Sequence, residues 1–494
     1  MRLFDWRSLV VSSVSIVAGV VCSGMLAAAP AETRPQYGGT LRVAMRAAPA
    51  SLDPAYSDPA EVDSASRYSA NGTPTDSFAR RSLTWLMFDT LVTIDGNGRV
   101  QPALATSWQV AQRNQPGNQR WQFRVRRGVK FHDGTPLSTE IAAASLRFAN
   151  PAWNVTVSAD ADSVEIERST TEPATSDSSL LAELALPRNA IVKRNGDSVP
   201  IGTGAFHVVD WKPAKTLTLA ADENRWRGRP FLDAIEIEMG KSFREQMTAL
   251  ELGRADLVEI APEQTHRLAQ EGRRVTSSNP MELLALLFAR DAASPDEKLL
   301  REALALSIER GSIRSVLLQG AGEPAAGLLP NWMSGYEFVF PAGADLPRAR
   351  QARDQVHTIP MWTLGYEGSD PIAHLLAERV ALNAKDAGLS LQPSSAATVD
   401  LRLVRIPLAS TDPWITLSKI SVMLDVPVAK ESGTVEDLYA SERAMLATRR
   451  MIPLFHLPVS YAASASLNNW SLRPDGSWAL ADAWLGLANT IRNP

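Results

Sequence analysis

The chain has 494 residues, more than one hydrophobic core usually serves, so its length implies two or three lobes. Apolar residues make up 45% and charged residues 21%, the proportions of an ordinary soluble globular protein. The formal net charge of −4 excludes a broad nucleic-acid surface, and no Walker-type phosphate loop or G-x-S-x-G elbow is present.

Arg2 and Arg7 precede a stretch, Ser8 to Ala31, without a charged side chain. Its core, Leu9 to Val21, has the length of a signal h-region, and Ala29-Pro30-Ala31 offers a cleavage site before Glu32. Residues 1–31 therefore read as a cleaved export signal. An uncleaved anchor is the alternative, since 24 uncharged residues can span a bilayer, but their many Ser, Ala and Gly residues weaken it. The single Cys, Cys22, lies inside this segment, so the mature chain has no disulfide framework. Val21 stands where a lipoprotein has a small residue, which disfavours lipid attachment at Cys22.

Thr40-Leu41-Arg42-Val43-Ala44 alternates as a strand does, and Ser51-Leu52-Asp53-Pro54 breaks it. Pro59, Gly72 and Pro74 keep the chain loop-like until an apolar segment, Leu83 to Val92, which fits a buried helix running into a strand. Pro102 sets a turn before Trp108. Trp121, Phe123 and Val125 alternate with Gln122, Arg124 and Arg126, giving a strand with one solvated face. Asp133-Gly134 makes a tight turn, and Ser138 or Thr139 caps a helix from Glu140 to Phe148. His132 and Asp133 resemble an acid–base pair, but adjacent strand residues point to opposite faces, so a structural role is favoured. Ser169 to Ser179 reads as a surface loop.

Further on, strands are expected at His207–Asp210, Thr216–Leu219 and Ala234–Met239, then a helix over Phe243–Leu252. Gly202-Thr203-Gly204 reads as tight-turn packing rather than a phosphate loop. Leu300, Leu304 and Ile308 recur on one helical face, and Ser312 is expected to cap a shorter helix through Leu318. A strand at Thr358–Leu364, a helix from about Pro371 to Ala387 stopped by Gly388, a strand at Leu401–Ile406 and a loop through Asp412-Pro413-Trp414 follow. A helix over Val435–Arg449 and a strand from Ile452 close the series. Strands alternate with helices throughout, which is an α/β pattern.

Six segments resemble one family in order: Ser51-Leu52-Asp53-Pro54, Pro102–Trp108, Trp121–Leu137, Gly202–Phe206, Arg301–Ile313 and Ile452–His456. The family is that of the solute-binding proteins, family 5, of peptide- and nickel-type ABC importers. The resemblance implies an α/β two-lobed fold of the class II periplasmic-binding type, with mixed sheets flanked by helices, an accessory subdomain and a cleft between lobes. It implies lobe I from residues 32–52, 185–275 and 470–494, an accessory subdomain at 53–184, and lobe II at 276–469. It further implies a small solute or peptide ligand, an inner-membrane ABC permease as partner, no nucleic acid, no cofactor, a monomer in the periplasm, and no catalysis.

The chain also departs from that pattern. Many peptide-binding members carry an Asp three residues before the acid of a D-P or E-P loop, where it meets the ligand's ammonium; alignment on Asp412-Pro413 puts Ala409 there. The chain looks shortened between Phe148 and Val164 and between Trp414 and Val435. Candidate cleft residues are Trp85, Trp362, Tyr366 and Trp414, each with core packing as the alternative, together with Ala409 and Asp412, the latter favoured as a turn residue. The backbone from Ala47 to Ala50, including Ala48 and Ala50, is a candidate edge for strand addition by a peptide. Arg405, with Arg402 beside it, is a candidate for a ligand carboxylate. The six His residues show no metal-site spacing, which disfavours direct metal coordination and leaves a bound chelate as the second ligand class.

Overall fold

Apolar alternation sets the first strand, β1 (Thr40–Ala44), at the centre of a sheet: Leu41 and Val43 are buried, while Arg42 turns outward to bind Asp256 at 3.0 Å. The computed structural model describes residues 34–56, 76–115, 118–168, 177–196, 199–336, 340–368, 370, 372–396, 398–428 and 433–486. The expected export signal, Gly72, Pro74 and most of the Ser169–Ser179 loop lie outside these residues.

Helix α1 (Asp76–Met87) begins about two turns before the expected apolar segment. Strands β2 (Ala105–Gln115) and β3 (Asn118–Val125) follow, then helix α2 (Thr139–Ala149) and strands β4 (Trp153–Val157) and β5 (Ser163–Arg168). These four strands form one antiparallel sheet in the order β2-β3-β5-β4. The chain bends at Ala103 and Leu104, directly after Pro102, and the long strand that carries Trp108 begins at Ala105. The sheet and α2 enclose Phe123, Val129, Phe131, Leu146 and Ile166, a core of their own. Ser138 is the cap of α2: its hydroxyl accepts from the Ile141 amide at 3.3 Å, while Thr139 is the first helical residue.

The chain then forms β6 (Phe206–Lys212), β7 (Thr216–Ala221), β8 (Ala234–Glu238), helix α3 (Phe243–Glu251) and β9 (Leu257–Ile260). Ser242 and Glu245 close a reciprocal capping box on α3. The rest comprises β10 (Arg274–Phe288), α4 (Pro295–Ser307), β11 (Met361–Gly365), α5 (Ala373–Asp386), β12 (Ser390–Ser394), β13 (Leu401–Pro407), α6 (Pro413–Leu424), α7 (Val435–Ala447) and β14 (Met451–Ala463). The short helix after α4 starts at Arg310, so Ser312 lies inside it and is not its cap.

One large sheet runs through the molecule in the order β12-β11-β13-β10-β14-β9-β1-β8-β7-β6. Its two halves have separate cores. Leu41, Phe206, Ile235, Leu257 and Tyr461 pack together at one end. At the other end β10 is buried on both faces, as its period-two pattern requires. Leu284 and Leu286 face a cluster with α4 and α5, and Leu283 and Ala285 face one with α6 and α7. Each fully buried Leu or Phe contributes roughly 1.5–3 kcal/mol relative to exposure.

Only β10 and β14 bridge the two ends side by side within this sheet order. Their register shifts between Ser277 and Pro280 and again between Pro280 and Glu282, where Pro280 faces Pro458. Proline has no amide proton to give the ladder, so two opposed prolines weaken it there. The β10–β14 ladder is therefore interrupted at this crossing.

Candidate ligand-binding site

The Trp121–Leu137 segment folds as a corner of the antiparallel sheet. Trp121, Phe123, Val129 and Phe131 are all buried in its core. Gly134 takes φ +81°, which the turn requires and glycine accepts without strain. His132 lies 3.2 Å from the Gly204 carbonyl, and burial pushes its pKa below the ordinary value. Asp133 turns the other way: Lys193 Nζ donates to it at 2.5 Å and the Thr135 amide at 3.0 Å. Burial alone would raise the Asp133 carboxyl, but these bonds outweigh it and hold the pKa at about 2. The two side chains do not form an acid–base pair.

Gly202 and Gly204 explain the G-T-G turn. A Cβ on Gly202 would meet the Met87 carbonyl oxygen at 2.0 Å, and one on Gly204 would meet the Met87 carbonyl carbon at 2.4 Å. The turn is pressed against the end of α1, and the Gly204 amide donates to Met87 O at 3.0 Å. Asp89, just beyond, accepts from Thr203 and from Trp226 Nε1, each at 3.0 Å. Close backbone contact thus fixes the helix that carries Trp85.

Trp85 opens onto a recess of about 480 Å³, open solvent included, whose wall also contains Ala409, Leu186, Arg473 and Asp475. Its parts come from distant segments: α1, the loop after β13, and a tight turn near the C-terminus. In that turn the Arg473 amide donates to Ser477 O at 2.8 Å. Asp475 accepts from the Ser477 amide at 3.0 Å through one oxygen and from Trp85 Nε1 at 3.3 Å through the other. Arg473 lies with its guanidinium carbon 5.0 Å from the Trp85 ring centroid, a cation–π placement. Buried Arg81 ties the wall together, donating to Leu408 O at 2.5 Å and Asp475 O at 3.2 Å. Sequence reasoning missed Arg81, Arg473 and Asp475.

Of the candidate residues, Trp85 and Ala409 meet in this recess. Trp362 is instead 5% exposed in the core, edge-on to Phe288 at 5.3 Å. Tyr366 packs against the same core with its ring 5.1 Å from His374. Trp414 packs at the start of α6 against the core that holds Leu417 and Met423. Asp412 is the N-cap of α6, accepting from the Ile415 amide at 3.0 Å, and Pro413 is the first helical residue. The expected loop at 412–414 is thereby corrected to a helix start.

Two further readings change. Arg405 is not turned to a ligand: its Nε donates to Asp370 at 2.7 Å and its Nη1 to Glu282 at 2.9 Å. Burial works against that charge, yet the two carboxylates outweigh it and hold the pKa above its ordinary value. The strand edge proposed near Ala48 and Ala50 is also partly filled. β1 is paired on both sides, and the Ala47 carbonyl accepts from the Gly240 amide at 3.3 Å. Ala48 is half-buried against the β1 core, and Ala50 is exposed.

Residues 99–400 match the family model described as bacterial extracellular solute-binding proteins, family 5. The chain belongs to this family. Among curated relatives, protein XP55 of Streptomyces lividans is 23% identical over 63% of this chain and 62% of its own length. The nickel-binding periplasmic protein of Escherichia coli strain K12 is 24% identical over 64% of this chain and 66% of its own length. The chain thus spans less than two thirds of either relative. A solved dipeptide-binding protein from Pseudoalteromonas sp. SM9913, in complex with Met-Leu, superposes with a TM-score of 0.72 at 16% identity. That superposition covers 91% of this chain and 100% of the other, which shows a shared two-lobed fold. Among the described residues no cluster of three or more His, Cys, Asp and Glu has the placement of a metal site. No helix among them is long and apolar enough to cross a membrane.

Proposed function

We propose that this chain is the extracytoplasmic substrate-binding protein of an ABC import system, with oligopeptides as its first ligand class. The reading assigns one lobe to residues 32–52, 185–275 and 470–494, an accessory subdomain to 53–184, and the second lobe to 276–469. The solute is held between the lobes and passed by a monomeric carrier to a membrane permease. One observation carries it: the Trp85 recess is walled by segments from both ends of the large sheet, joined by the β10–β14 crossing. A ligand that touches both walls biases closure, and only such differential contact can drive it. The relatives named above that bind nickel and a dipeptide support the carrier role and leave the ligand class broad.

Native mass spectrometry of the protein purified from its exporting cell, followed by thermal shift against a peptide library, tests the reading. A bound peptide raises Tm by mass action, about 2.7 kcal/mol of added stability at a hundredfold excess over Kd. If no peptide shifts the protein while an unrelated solute does, the oligopeptide assignment is wrong.

A further inference from the structure

Arg473 is chemically incomplete where it stands. Its Nε is shut off from solvent with no hydrogen-bond partner, and no carboxylate among the described residues pairs with its guanidinium. Buried charges are ordinarily paired, because an unpaired one is costly to keep out of water. Asp475, two residues on, and Asp89 act on Arg473 through space, but neither makes an ion pair with it, and the Asp475 oxygens accept from Trp85 and Ser477. Arg225 repeats the pattern, with its own Nε buried and unpartnered. Arg227, held 4.5 Å from the Trp226 ring centroid, adds a third positive charge nearby. Burial pushes both Arg473 and Arg225 below the ordinary arginine value; Asp475 and Asp89 act against it at Arg473, as Asp89 does at Arg225, and the neighbouring arginines act with it.

We infer that the recess takes its solute by a carboxylate, laid on the Arg473 guanidinium beside Trp85. This rests on the solute-binding reading above and names its ligand class: an acidic solute, recognised by its carboxylate rather than by an ammonium. The planar fork of Arg offers paired donors that fit a carboxylate edge. The methyl of Ala409 suits this, because it puts no competing negative charge on that wall. A carboxylate bound there sets a negative charge beside a guanidinium that makes no ion pair of its own.

The test uses the full mature protein and matched tripeptides: N-acetylated with a free C-terminal carboxylate, the same peptides as C-terminal amides, and amides with a free amine. Calorimetry is expected to show the acids binding at least about tenfold more tightly than either amide, the scale of one charge-assisted hydrogen-bonded contact. Arg473→Gln removes that preference and Arg473→Lys keeps part of it. Without ligand, Arg473→Gln raises Tm by about 1–3 °C, since it removes a partly desolvated charge that makes no ion pair. Equal affinity for acid and amide, or an acid preference that survives Arg473→Gln, overturns the inference and leaves the carrier reading in place. If no peptide binds the wild-type protein, the oligopeptide reading fails and the ligand-free comparison decides. A Tm that rises in R473Q then supports the orphaned guanidinium, and one that is unchanged or falls contradicts it.

Discussion

At the Asp133-Gly134 turn the charged groups are satisfied locally: Asp133 by Lys193 and Thr135, His132 by the Gly204 carbonyl. At the Arg473–Ser477 turn the acid is satisfied and the base is not, for Asp475 bonds Trp85 and Ser477 while Arg473 keeps a buried Nε without an acceptor. Both are tight turns with a glycine at positive φ. The difference separates scaffold from site. A turn whose polar groups all have partners needs nothing further, whereas one that holds a half-buried guanidinium without an ion pair has a group left to offer a ligand.

The largest expected effect falls on the scaffold. Gly204→Ala forces a methyl to within 2.4 Å of the Met87 carbonyl carbon, so backbone must move. A loss of about 3 kcal/mol or more is expected in urea denaturation. Because α1 carries Trp85, a stable Gly204→Ala protein with unchanged ligand binding would break the link between this turn and the recess.

Glu442 offers a buried acid to set against the half-buried Arg473. It accepts the amides of Leu328 and Leu329 and the Tyr336 hydroxyl, and burial raises its pKa from 4.5 to about 7. Between pH 4.5 and 7 the unfolded chain gives up this proton before the folded one does. Stability from this group is therefore complete below pH 4.5 and lost as pH rises through 7, by about 3 kcal/mol in all. Glu442→Gln keeps acceptor and donor in place and should flatten that part of the curve. A wild-type minus Glu442→Gln difference that does not change across this window would contradict the assignment.

Asp133→Asn should act more weakly. The Asp133 side chain is about a third exposed, so solvent screens its pair with Lys193 and a cost of about 0.5–1 kcal/mol is expected at pH 7. With the folded pKa near 2 and the unfolded value near 3.8, that contribution is present above pH 3.8 and disappears as pH falls through 2. Acid denaturation of the two proteins should converge there. Ligand affinity should not change, and a tenfold loss in Asp133→Asn would erase the distinction between the two turns.

Much of the scaffold was legible because its signals are local. The alternation through Trp121, Phe123 and Val125 and the Ser138 cap each act within a few residues. The family resemblance drew on the same segments. Helix α6 was also within reach, since Asp412-Pro413 is an N-cap followed by proline at the first helical position, but the proline was read as a loop. The recess was less legible. Trp85 and Asp475 meet across 390 residues, and Arg81 reaches Asp475 across 394, so no window of sequence holds both partners. Trp362 and Trp85 look alike as isolated aromatics; only the packing of Phe288 against one and Arg473 against the other tells core from wall.

The most direct measurement is native mass spectrometry of wild-type, Arg473→Gln and Asp133→Asn proteins exported and purified in parallel. The account predicts a co-purifying solute that bears a carboxylate, retained by Asp133→Asn and lost from Arg473→Gln. A solute without an acidic group, or one that Arg473→Gln holds as well as the wild type, would contradict it.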